Sequence, residues 1–348
     1  PLARLPARMG CTSVARMTAL SVRLLGLCSL LTLGACGAPF PSLQEQSAGY
    51  THPTYGYVIA RRANGAGVLA PEWQPHVRAN DTREVPMDQD GDGVIDAALE
   101  VPLFDLVHAR GTAGGALFVS TFPTSREAAN GDLSQILTGY VATASRAGQI
   151  AYGFPRTVPR TGEPMASRVL GSRPREVGGR PAHEILFEIA NVPAARVTDA
   201  TVWSRGHVVL VRADLTFSDQ QYSRTRGSST AAFFPVLMVL GYANTATAFT
   251  AHYDDFEDLV GRLQFPADPA FAPLRSALQA CVQQETLVEF LVLPEGRVGA
   301  HAALSDATSE RCVSETLVTA RVPGSDWPRT VALRISPEVA PAAPAPQG

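Results

Sequence analysis

The chain has 348 residues, 45% of them apolar and 18% charged, which is enough apolar material for two globular domains and too much for a disordered chain. All 29 basic residues are arginine, and with 32 acidic residues the formal net charge is −3; removing a leader of 35 residues, which holds Arg4, Arg8, Arg16 and Arg23 and no acid, leaves 25 basic charges and a net charge of −7. That sign argues against nucleic acid as a partner, and the lack of a P-loop or dinucleotide glycine pattern argues against a nucleotide.

From Met17, Arg23 supplies a positive end and Leu24 to Leu33 form an apolar run too short to span a bilayer. The run ends in Leu33-Gly34-Ala35-Cys36, a branched residue and two small ones before a cysteine. This pattern resembles the lipobox of bacterial lipoproteins. The resemblance implies that residues 1–35 are a signal peptide and that Cys36 takes the lipid, so that membrane lipid is a partner. Gly37, where aspartate would hold such a protein at the inner membrane, implies an outer-membrane lipoprotein facing the periplasm or the surface. Residues 36–54, rich in Gly, Pro, Ser and Gln, read as a flexible tether.

Periodic sequence begins at Tyr55, with Tyr55–Ala60 expected as a first strand. Next comes Asp88-Gln89-Asp90-Gly91-Asp92-Gly93-Val94-Ile95-Asp96, whose alternate carboxylates converge on one hard cation while Gly93 permits the turn and the Val94 carbonyl adds a ligand. The spacing resembles the calcium loops of EF-hand and thrombospondin-type repeats. The bidentate Glu that an EF-hand needs is replaced by Leu99, so the options are a Ca2+ loop built from Asp88, Asp90, Asp92, Val94 and Asp96, structural in role, or a solvated acidic turn. Leu103–His108 and Ala116–Thr121 read as strands joined by a glycine-rich turn. A helix follows, started by a capping box of Thr124 and Glu127, with Leu133, Ile136, Leu137, Tyr140 and Val141 on its apolar face. Ile185, Phe187 and Ile189 alternate as in a half-buried strand, and Val208–Val211 and Val236–Leu240 are apolar enough for central strands. A closing helix turns Phe256, Leu259, Val260 and Leu263 inward and Asp254, Asp255, Glu257 and Asp258 toward water.

The expected class is therefore α+β: an antiparallel-sheet α/β sandwich over residues 55–265. Its element order and its closing helix loosely resemble the PsbP-like fold, most members of which are accessory or binding proteins. Beyond the proline-rich boundary at 266–273, a short helix through Leu274, Leu278 and Cys281, a hairpin turning at 294–297, a helix near Cys312 and a last strand Val331–Ile335 give an αββαβ domain over 270–336. With its two cysteines and Trp327-Pro328, it resembles the C-terminal domain of TonB-like energy transducers and gliding-motility proteins, without the transmembrane anchor or long rod of a transducer. Residues 337–348 are rich in Pro and Ala and read as a disordered tail.

Cys281 and Cys312 are the two thiols left after the leader and the lipid site, and an even pair in an exported chain suggests a disulfide, with two buried free thiols as the alternative. No nucleophile elbow occurs, and His183-Glu184 lacks the second histidine of a zincin motif, so His183 reads as a satisfied strand or surface histidine. The expected function is a non-enzymatic binding or structural module of the cell envelope, with another envelope protein as its partner. The alternative is a calcium-dependent envelope enzyme without a recognisable active-site motif.

Overall fold

The computed structural model describes residues 44–46, 49–63, 67–76, 82–87, 97–111, 115–147, 163–218, 232–324 and 328–337, all within one compact unit, Phe40–Gly348. The leader, Cys36, the acidic loop 88–96 and the tail beyond residue 337 lie outside the described residues.

The segment expected as a flexible tether is structured in part. Strands β1 (Gln44–Gln46) and β2 (Gly49–Thr51) pair with β3 (Val58–Ala60) in one small antiparallel sheet. Such short strands are held through backbone bonds, so they leave no apolar period to read. Gly49 makes the close pairing possible: its φ is +142°, and a Cβ there would lie 2.1 Å from the Ile59 carbonyl oxygen. His52 then closes the turn, its Nδ1 accepting the Thr54 and Tyr55 backbone N–H groups.

Strands β4 (Gln74–Pro75), β5 (Thr82–Met87), β6 (Ala97–Pro102), β7 (Leu106–Ala109) and β8 (Ala116–Pro123) follow in turn. β5 and β6 form a separate antiparallel pair in which Met87 faces Ala97. Helix α1 (Arg126–Asn130) is capped by Ser125, which accepts from the Ala128 N–H, in place of the expected Thr124 box; the cap sits one residue later but does the same work. Helix α2 (Leu133–Ala147) and the strands β9 (Met165–Val177), β10 (Arg180–Pro193), β11 (Trp203–Ser218) and β12 (Phe233–Thr245) complete the main layer. These strands make a seven-stranded antiparallel sheet in the order β4-β7-β8-β12-β11-β10-β9. The β9–β10 hairpin turns at Gly178 and Gly179, with φ of +56° and +75°, the left-handed pair that a two-residue turn requires.

Both faces of this sheet are covered, which is why Val208–Val211 is an unbroken apolar run. Val208 and Leu210 face one cluster with Leu133, Leu137 and Val141 of α2 and with Ile185, Phe187 and Ile189. Val209 and Val211 face the other, formed with Tyr57, Ile59 and helix α3 (Tyr253–Gly261) through Phe256, Leu259 and Val260. Strand β13 (Leu263–Gln264) joins the small sheet beside β3. The architecture is the expected α+β sandwich.

The C-terminal region has the expected αββαβ order: α4 (Ala272–Gln279), β14 (Thr286–Val292), β15 (Val298–His301), α5 (Ala307–Thr319) and β16 (Arg329–Ile335), with sheet order β15-β14-β16. Its own core gathers Leu274, Leu278, Val288, Phe290, Val313 and Leu317. Cys281 and Cys312 form a disulfide with their Cα atoms 5.4 Å apart. Phe233 of β12 packs on Leu291, Leu293 and Ala300, and Arg126 of α1 pairs with the buried Glu289 of β14, so this small sheet is fastened to the large one.

Candidate functional site

Of the residues singled out from the sequence, Cys281 and Cys312 come together as a bridge. Cys36 and the candidate ligands Asp88, Asp90, Asp92, Val94 and Asp96 lie outside the described residues. The β5–β6 register nonetheless makes residues 88–96 the connection between two paired strand ends.

The densest chemistry lies elsewhere, where three strands meet α3. Glu184 on β10 faces Arg173 on β9, and His207 on β11 points to the same side of the sheet. Helix α3 crosses above them, and its spacing of 253, 256 and 257 sets Tyr253, Phe256 and Glu257 over the imidazole. Both rings lie close to that imidazole, Tyr253 stacked at 5.5 Å between centroids and Phe256 edge-on at 5.2 Å.

His207 presents Nε2 to Glu184 at 3.4 Å and Nδ1 to Glu257 at 3.5 Å. Tyr253 Oη is 2.8 Å from Nδ1 and donates to Glu257 Oε1 at 2.6 Å. With the phenol's single proton on Glu257, the Tyr253–Nδ1 contact pairs the phenol oxygen with an Nδ1–H. Arg175 joins the two carboxylates, donating to Glu184 Oε2 at 2.7 Å and to Glu257 Oε2 at 3.2 Å, and Arg173 adds a further bond to Glu184. Two arginines thus face two glutamates around a buried neutral imidazole.

The electrostatics follow from this arrangement. Burial pushes the Glu184 carboxyl upward, but Arg173, His207 and Arg175 outweigh it and hold it below the ordinary carboxylate range. For His207 burial is the largest effect and keeps its pKa low, helped by Arg175 and opposed by the two glutamates. Tyr253 is pushed up by burial and by its bond to Glu257, so it remains a proton donor.

Glu184, His207 and Glu257 offer ligand atoms within 4.8 Å of one another, which raises the question of a metal. The donor set does not fit one. An imidazole binds an ion through one nitrogen, and the two carboxylates lie against opposite nitrogens. The Glu184 oxygen that faces His207 also carries Arg175, a cation already in the place an ion would take. The arrangement is suited to clamping α3 onto the sheet.

A second ion group lies further along the same face. Glu188 on β10, 1% exposed, is held by Arg168 of β9 and Arg205 of β11, each at 2.7 Å, and Arg168 lies 4.4 Å over the Trp203 ring. Two acids of α3 are also more engaged than a solvated face would be. Asp255 accepts from Arg62 at 2.6 Å and from the Trp73 indole at 3.0 Å and Glu257 turns to His207, whereas Asp254 and Asp258 are exposed as expected, Asp258 pairing with Arg262 at the surface. His183 meets Ser172 at 2.8 Å, in line with a satisfied strand histidine.

The sequence did carry a signal for both clusters. Ala182, Glu184, Leu186 and Glu188 share one strand face, so two glutamates stand where a buried face expects apolar residues. The preceding hairpin strand carries arginines at 168, 173 and 175, in register to neutralise them. His207 and the covering helix could not be added without knowing which strands are neighbours.

No family model matches the chain, and no curated protein matches it. Among solved structures it is similar to the cyanobacterial PsbP protein CyanoP from Synechocystis sp. PCC 6803, at 12% identity over 67% of this chain and 98% of that one, with a TM-score of 0.31. It is also similar to PA94 from Pseudomonas aeruginosa, a protein of unknown function described as a putative regulator, at 10% identity over 54% of this chain and 98% of that one, with a TM-score of 0.27. Similarity at this level brings neither protein's role to this chain.

Proposed function

We propose that the chain is an exported lipoprotein, held to membrane lipid through Cys36, whose folded part is a non-enzymatic binding or structural module of the cell envelope. One observation carries the non-enzymatic half of the reading: the buried glutamates of both clusters are each held by two arginines, so these sites are closed by internal ion pairs. A general base or nucleophile needs a free lone pair at a substrate-accessible place, and these groups have spent theirs on the fold. Export is supported by the Cys281–Cys312 disulfide, which suits an oxidising compartment. Gly37 beside the lipid site favours the outer membrane.

Two finer readings belong to the same proposal. Residues 88–96 bind calcium, and because they link β5 to β6 in the chain, a cation there would couple to the pairing of those strands. The αββαβ region acts as a protein-contact domain of the TonB-like kind. The anchoring is tested by replacing Cys36 with alanine and fractionating the envelope. The expected result is an unprocessed precursor or a chain lost from the lipid-modified membrane fraction. Normal fractionation with a normal lipoprotein mass would contradict it.

A further inference from the structure

We infer that the outer edge of β9, with the connection between β10 and β11 beside it, is a strand-addition site for an extended segment of another protein in which acidic and apolar residues alternate. This deepens the binding-module reading above and rests on it. Three observations converge on that corner of the sheet.

First, β9 is the last strand of the large sheet, and among the described residues its one strand neighbour is β10. Residues 167–174 are exposed one after another, and the pairing with β10 skips Leu170 between Val169 and Gly171, so the outward backbone groups offer a template for a further strand on both sides of this bulge. Second, exposed apolar side chains gather there. Of the five large exposed hydrophobic residues among those described, Val169 and Leu170 lie on β9 and Val197 and Val202 on the β10–β11 connection. That connection starts beside β9, for Ala194–Arg196 lies against the strand. Exposed apolar side chains concentrated on one edge strand and the connection that starts beside it suit an interaction site. Third, one side of the edge carries two arginines that are paired inward but still reach water. Arg168 and Arg173 project to the face of their cross-strand partners Glu188 and Glu184, yet their side chains are 56% and 76% exposed and keep guanidinium donors free for water or a partner. Val169, opposite Phe187, projects to the other face.

These features choose the occupant. In an antiparallel pairing of two copies centred between Leu170 and Gly171, Arg168 of one copy would stand opposite Arg173 of the other, and like charges opposite one another destabilise a strand pair. Pro174, which has no N–H, limits the pairing at one end. The remaining stretch, residues 167–173, offers about 23 Å of edge at roughly 3.3 Å per residue. An incoming strand with carboxylates on the arginine side and apolar side chains on the Val169 side matches it.

The test uses the full chain in detergent micelles and a synthetic peptide, Thr-Glu-Val-Glu-Val-Glu-Val-Thr, read by fluorescence anisotropy and by amide hydrogen exchange. Binding should slow exchange at 167–173 and should weaken as salt is raised, since the attraction is between partly exposed charges. Val169→Asp should weaken binding by about tenfold or more, because a carboxylate would replace the apolar contact with the peptide's valines. Arg173→Gln, which leaves Arg175 on Glu184, should weaken it by about threefold to tenfold in a chain that melts at a lower temperature but still cooperatively. Equal binding of the Lys-Val analogue, unchanged exchange at β9, or a concentration-dependent dimer that protects β9 would overturn the inference. A cross-linked envelope partner seated on another face would refute this site and leave the binding-module reading standing, and a failure of the Cys36 test would leave the β9 result standing.

Discussion

Replacing Arg175 by methionine keeps an unbranched stem and removes the one cation that joins both carboxylates of the clamp. Glu184 would keep Arg173, and Glu257 would keep Tyr253. Full rupture of a buried ion pair costs about 3–5 kcal/mol; with one partner left on each acid, and with Glu257 about a third exposed, the expected loss is about 2 kcal/mol. The effect has a pH signature. Arg175 helps to keep His207 neutral, so its removal should raise the His207 pKa. In the native protein that pKa lies below its unfolded value, so His207 lowers stability as pH falls through the window just below about 6.5. In the variant this acid penalty should shrink, and an imidazolium forming between the two glutamates should replace part of the missing charge. Urea unfolding near pH 8 and near pH 5.5, with NMR titration of the His207 ring, reads both effects: a larger loss at the higher pH and a raised His207 pKa. Adding Glu184→Gln should recover about 1 kcal/mol or more in a double-mutant cycle. A loss below about 0.5 kcal/mol with an unmoved His207 would refute the clamp, because surface pairs behave that way.

Other consequences can be checked on the same material. Reducing the bridge, or the Cys281→Ser/Cys312→Ser double variant, should cost about 3.7 kcal/mol in the chain-entropy model for a separation of 31 residues, measured by chemical denaturation with and without reductant; identical curves would show the bridge to be energetically idle. Burial holds His108 down to about 4, and its Nδ1 is buried without a partner among the described residues, so the unfolded chain takes up that proton first. Stability should fall by about 3 kcal/mol as pH drops from 6.5 to 4, and His108→Gln should remove that share of the slope in urea titrations at stepped pH. Calcium at about 100 times its Kd should stabilise the chain by about 2.7 kcal/mol, seen as a higher Tm that chelator reverses; the Asp90→Asn/Asp92→Asn variant should show no response.

The large-scale fold was legible because apolar period and chain order are local properties. The faces of α2 and α3, the run Val208–Val211 buried on both sides, the αββαβ order and the cysteine pair were all read without neighbours. The first two strands were missed because Gln44–Gln46 and Gly49–Thr51 are held by backbone pairing around Gly49, which leaves no pattern in side-chain hydropathy. The clamp was half legible. Glu184 and Glu188 broke the apolar face of their strand, and arginines stood on the preceding one, yet His207 lies more than twenty residues from Glu184 and Glu257 a further fifty away. Such a cluster exists only once β9, β10, β11 and α3 are side by side. Asp255 and Glu257 of α3 were misread for the same reason, since Arg62 and Trp73, which bind Asp255, come from the far end of the domain.

The central claim, an exported chain held to lipid by one cysteine, is met most directly by mass spectrometry of the N-terminal peptide of the mature protein taken from membranes. The account predicts cleavage between Ala35 and Cys36 and a peptide that starts at Cys36 and carries the mass of a diacylglyceryl group. A mature chain that retains residues upstream of Cys36, or that starts there with an unmodified thiol, would contradict it.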